Sequence, residues 1–173
     1  MGFRGYLSAY HFDSPPREDE AYAWTLAHTS QVVYRLGKAW LSLEWFCSSF
    51  PHFPEATPHL PPEQHGPLLW AVRGRRWIGE EDYPIYLNTP EDVDALLPVM
   101  ESILPSTVKQ TLVEHDIAIE VSRFPDRSEP SIREAVEAEW SLSGYEYDQF
   151  WSDLQAFYMR CAAERWYVCR TTS

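Results

Sequence analysis

The sequence predicts an α+β fold of one domain, residues 1–173: a small, largely antiparallel sheet that includes both terminal strands, packed with several helices. Three observations predict it. Both ends of the chain, at Phe3–Phe12 and Arg165–Thr171, alternate their residues between two faces as strands do. Between them, two long segments repeat apolar residues at steps of three and four, the mark of a helix with one buried face. The chain has 173 residues, the length of one ordinary domain and enough to bury roughly 70% of the surface its unfolded form exposes.

In the first strand Phe3, Gly5, Leu7 and Ala9 share one face, and Arg4, Tyr6, Ser8 and Tyr10 the other; Ser14-Pro15-Pro16 ends it. A short helix is expected over Glu18–Ala27, its acidic start suiting the positive end of the helix dipole. Val32, Val33, Leu36, Ala39, Trp40, Leu43, Phe46, Cys47 and Phe50 then form the clearest helical stripe, predicting a central helix capped by Ser30 and stopped by Pro51. Six prolines between Pro51 and Pro67 predict an extended surface loop at 51–67. The short apolar run Leu68–Val72 and the basic turn Arg73-Gly74-Arg75-Arg76 follow.

Tyr83–Leu87 reads as a short extended segment, with Pro84 placing it at a sheet edge or at the entry to a strand. Thr89-Pro90-Glu91-Asp92 is a strong helix start, and Val93, Leu96, Leu97 and Met100 give that helix its apolar face up to Pro105. A short helix over Ser106–Glu114 and a strand over Ile117–Val121 are expected next, then a loop at Phe124–Pro130 and a helical stretch at Glu134–Trp140, interrupted at Ser143-Gly144. Phe150, Leu154, Phe157, Tyr158 and Cys161 mark a second long helix over Tyr147–Glu164.

Hydrophobic residues at 45% and charged residues at 23% exclude a disordered or collagenous chain. The 14 Lys and Arg against 26 Asp and Glu give a net charge of −12, which repels a phosphate backbone, so no nucleic acid partner is expected. Cys47, Cys161 and Cys169 are odd in number and form no C-x-x-C, so no disulfide framework is expected. With no leader-like start and no apolar run of membrane length, the expected setting is cytoplasmic, with no membrane partner.

Several blocks, in order, carry a family resemblance. They are Met1-Gly2-Phe3-x-Gly5-Tyr6 at the start, Leu36-Gly37-Lys38-Ala39-Trp40, and Gly79-Glu80-Glu81-Asp82-Tyr83 ahead of Tyr86-Leu87-x-Thr89-Pro90-Glu91-Asp92-Val93. The last is Asp153-Leu154-Gln155-Ala156-Phe157-Tyr158, running into the final strand. In these blocks the chain resembles the YfbM-like family of bacterial domains of unknown function, over nearly its whole length. The resemblance implies a single α+β domain in a bacterial cytoplasm, and it carries no activity, because none is established for the family. Leu41 and Glu44 stand where family members commonly have His, and Arg73-Gly74-Arg75-Arg76 replaces a Gly-Gly turn, so no shared histidine site is implied.

The residues themselves offer several candidate sites. Arg73, Arg75 and Arg76, bracketed by Trp70 and Trp77, can recognise carboxylate or phosphate through their guanidinium forks, with indole faces for stacking. The plainer reading is a turn whose arginines pair with Glu80, Glu81 and Asp82. Glu44, one turn from Trp40, is either a carboxylate at the edge of the buried stripe or an exposed one. His52, His59 and His65 lack the short spacing of a metal site, and no metal or cofactor is expected. Glu114-His115-Asp116 has acid–base residue types, but adjacent side chains rarely face each other, and a histidine at a helix end is the plainer reading. From Glu129 to Asp153 seven acids meet only Arg133, with Trp140, Tyr145, Tyr147 and Trp151 interleaved: either a solvated face or a surface for a cationic partner.

Neither G-x-S-x-G, a P-loop, G-x-G-x-x-G nor H-E-x-x-H occurs, so no catalytic residue is assigned. The leading expectation is a non-catalytic interaction module with an acidic surface and a basic protein partner, with an immunity-type role as one form of it. The alternative is a small-molecule binder or enzyme whose pocket is walled by Arg73, Arg75, Arg76, Trp77 and Glu44.

Overall fold

The computed structural model describes residues 5–11, 30–37, 40–49, 66–78, 85–143 and 145–172. The expected helix at Glu18–Ala27, the Pro-rich segment through residue 65 with His52, His59 and His65, and the turn Glu80-Glu81-Asp82 lie outside the described residues. In order, the elements are β1 (Gly5–Tyr10), β2 (Val32–Gly37), α1 (Trp40–Ser49), α2 (Pro67–Arg73), β3 (Arg76–Ile78) and β4 (Ile85–Asn88). They continue as α3 (Pro90–Glu101), α4 (Pro105–Arg123), α5 (Glu129–Ser143), α6 (Tyr145–Ala163) and β5 (Tyr167–Thr172). This is an α+β fold. Two compact units are distinguished: Met1–Glu101 with Ala156–Ser173, and Ser102–Gln155. No helix among the described residues is long and apolar enough to cross a membrane.

The first unit holds the sheet, in the order β2-β1-β5-β4-β3 with every pairing antiparallel. The two strands nearest the chain ends, β1 and β5, are therefore neighbours in its interior. Register pairs Ser8 with Cys169 and Cys169 with Leu87, so these share a face, while Leu7, Arg170 and Tyr86 align on the other. Leu7, Ser8, Ala9 and Tyr10 are all buried, so both faces of β1 are covered. Tyr10, Ile78, Ile85, Leu87 and Cys169 form one apolar cluster, with Tyr167 packed against it. Helices α1, α2 and α3 pack in series, each on the next.

Local chemistry sets the helix ends. Pro67 begins α2, where its missing N–H costs nothing, so the Pro-rich stretch gives way to helix at its last proline. Thr89 and Asp92 cap α3 reciprocally: Thr89 N–H donates to Asp92 Oδ2 at 2.9 Å and Asp92 N–H to Thr89 Oγ1 at 3.3 Å. At the end of α6, Trp166 N–H reaches Cys161 O at 2.9 Å and Arg165 N–H reaches Ala162 O at 3.2 Å, a Schellman motif. Its left-handed position is held by Arg165 (φ 55) instead of glycine, and that guanidinium pairs with Glu91 and Asp94 of α3.

The second unit consists of α4, α5 and α6 through Gln155. Helices α4 and α5 pack on each other, and Val108, Leu112, Ile117, Ile132, Val136, Trp140, Trp151 and Leu154 are buried. Trp151 Nε1 and Gln155 Nε2 both donate to Ile103 O, at 3.2 and 3.3 Å.

Two sequence expectations are corrected. The helix expected from Ser30 to Phe50 is a strand, β2, followed by a shorter helix, α1. Val32, Val33 and Tyr34 are β-branched or aromatic residues suited to a strand, and β1 offers them a partner; Val33 is 51% exposed between half-buried neighbours, a period of two. The strand expected at Ile117–Val121 lies inside α4, which runs on from Pro105 without a breaker. Five alternating residues fit either period, and the longer helix claims them.

Candidate functional site

The arginines singled out by the sequence are divided between two carboxylates of the first unit. Arg73, at the end of α2, brings Nε to 3.2 Å from Glu44 Oε1 on α1. Arg170 of β5 approaches the other oxygen, Nη2 to Oε2 at 3.9 Å, and its guanidinium lies over the Tyr86 ring at 5.2 Å. The Glu44 side chain is 15% exposed, so it sits at the edge of the core and not on an open face. Burial lowers the Arg170 pKa, and the Glu44 carboxylate opposes that shift.

Past Gly74 the chain turns, and both following arginines reach Asp92: Arg75 Nη1 to Oδ1 at 2.5 Å and Arg76 Nε to Oδ2 at 3.8 Å. The carboxylate that caps α3 is thus also an arginine acceptor. The Arg75 guanidinium lies over the Trp70 ring, 4.6 Å from its centroid, which joins a cation–π contact to an ion pair. Arg75 N–H donates to Asn88 Oδ1 at 2.8 Å, while Asn88 Nδ2 donates to Trp70 O at 2.7 Å. The Trp77 side chain and the expected acidic partners Glu80, Glu81 and Asp82 lie outside the described residues. Of the five residues proposed as one pocket wall, the structure brings Arg73 to Glu44 and Arg75 to Arg76.

The second unit contains a different arrangement. A cavity of about 320 Å³ between α4 and α5 is lined by Asp116, Ile119, Glu120 and Arg123 from α4 and by Val136, Glu139 and Trp140 from α5. Trp140 Nε1 donates to Asp116 Oδ2 at 2.9 Å, and Arg123 Nη1 donates to Glu120 Oε1 at 3.1 Å. Burial raises the Asp116 pKa; the Trp140 hydrogen bond and His115 oppose the rise, and the charges of Glu139 and Glu120 add to it. The His115 pKa is lowered, again mainly by burial, with Asp116 opposing.

Elsewhere between the same two helices, Arg133 of α5 grips Glu114 with both nitrogens, at 2.7 and 3.2 Å, and reaches Glu129 at 3.3 Å and Glu137 at 3.9 Å. This hydrogen bonding holds the Glu114 carboxyl below its usual pKa. Glu114-His115-Asp116 therefore lies within α4 and not at a helix end. Its two acids turn to different partners, Arg133 and Trp140, as expected for neighbours splayed around a helix.

The three thiols fit structural roles. Burial pushes Cys161 and Cys169 up to about 12 and raises Cys47 as well, so all three stay protonated at neutral pH and are poor nucleophiles.

Reading Ile117–Val121 as a strand hid the groove. Asp116, Ile119, Glu120 and Arg123 stand at i, i+3, i+4 and i+7, one stripe of a helix, once α4 is allowed to continue past Glu114. Val136, Glu139 and Trp140 repeat the spacing on α5. Asp92 and Arg170 were also missed. In the sequence Asp92 reads only as an acid in the first turn of a helix, and Arg170 sits in a strand pattern with no local sign that an acid approaches it.

No family model matches the sequence, and no curated protein matches it significantly. Among solved structures, the chain is similar to a protein of unknown function, YfbM from Escherichia coli, with a TM-score of 0.51, 14% identity, and coverage of 98% of this chain and 99% of that one. At that identity the likeness shows a YfbM-like fold alone.

Proposed function

We propose that the chain is a non-catalytic protein-interaction module whose acidic second unit binds a basic protein partner. The observation that carries this reading is the groove, where Asp116, Glu120 and Glu139 line one cavity together with Trp140, Ile119 and Val136. Carboxylates rimming an aromatic and aliphatic surface suit recognition of a cationic protein segment. Charge distribution supports it: residues 102–155 hold Lys109, Arg123, Arg127 and Arg133 against eleven acidic residues. The family proposed is the YfbM-like one, supported by the fold likeness and the sequence blocks, with a bacterial cytoplasmic setting. An immunity-type role, neutralising a basic effector, fits such a module. The alternative pocket near Arg73–Trp77 has less support, because Arg73 and Arg75 already engage Glu44 and Asp92.

Zero-length carbodiimide cross-linking, which joins carboxylates to lysines, tests the reading in lysate of cells expressing the tagged chain. The expected product is one identified basic protein, joined through carboxylates of α4 or α5 and lost in high salt. Adducts that ignore salt, or that join only through residues of the first unit, would overturn it.

A further inference from the structure

We draw no further inference here: the strongest candidate, the side-chain cluster of Glu44, Arg73 and Arg170 at α1, the end of α2 and β5, carries nothing beyond the ion pairs already described, because nothing in the structure points to a ligand there.

Discussion

Gly74 shows how one residue positions the arginines. Its backbone, at φ 75 and ψ 157, lies in a region reserved almost wholly for glycine, and a Cβ there would meet Tyr86 Cβ at 2.8 Å and the Tyr86 carbonyl carbon at 2.9 Å. The obstacle includes backbone of the neighbouring strand, which cannot swing aside. This turn separates Arg73, directed to Glu44, from Arg75 and Arg76, directed to Asp92. Gly74→Ala is expected to lose about 2 kcal/mol or more, combining backbone strain with the clash. Urea unfolding measures it, and a loss below about 0.5 kcal/mol would mean that β4 yields at little cost.

At the scale of elements, α2 is anchored through carbonyls near its end. Trp70 O accepts from Gly74 N–H at 2.9 Å and Asn88 Nδ2 at 2.7 Å, and Ala71 O accepts from the buried Tyr158 hydroxyl at 2.8 Å. Tyr158→Phe deletes one oxygen and leaves Ala71 O short of this partner, with an expected cost of about 1–3 kcal/mol in urea unfolding. An unchanged midpoint and slope would show that the bond contributes nothing net. None of this was visible beforehand, since Tyr158 and Asn88 are 70 residues apart and Tyr158 read as one more member of an apolar stripe. The terminal strands, the capped start of α3 and the last helix were legible because each follows from neighbouring residues. The β2–α1 segment was not, because Val32, Val33 and Leu36 satisfy a helical step locally and only pairing with β1 decides otherwise.

The α4–α5 pair carries the clearest sign of a tension between stability and binding. Burial raises the folded-state pKa of Asp116 above its unfolded value, near 3.8, so the folded chain holds this proton more tightly. The resulting stability is fully present below about 3.8 and is lost as pH rises through the higher folded value. Glu114 has the opposite sign: its pKa is depressed by Arg133, and its contribution is lost as pH falls through its folded value. Comparing Asp116→Asn with the natural chain cancels Glu114 and isolates Asp116. The variant is expected to be at least as stable at pH 7, with the difference shrinking towards zero as acid neutralises Asp116 in the natural chain. Lower stability of Asp116→Asn at pH 7 would show instead that the ionised carboxylate is favoured where it stands, and would remove the evidence of strain held for binding.

Over the whole molecule, charge sets the balance between self-repulsion and local pairing. The 26 acids outnumber the 14 basic residues, while the pairs of Arg133 and Arg165 lie at exposed or half-exposed positions where an ion pair typically contributes about 1 kcal/mol or less. Salt weakens both terms, but repulsion acts across the chain and the pairs act locally. Raising sodium chloride from about 10 mM to 150 mM shortens the screening length from about 30 Å to about 8 Å, which removes mainly the long-range term. Thermal unfolding is therefore expected to shift upward by a few degrees over that range, whereas association with a basic partner slows, because the same field that destabilises the chain steers a cation towards it. Chloride is the salt to use, since sulfate stabilises by exclusion from the surface whatever the charge. A melting temperature that falls with chloride would mean that the arginine pairs outweigh the repulsion and that the acidic excess places little strain on the fold.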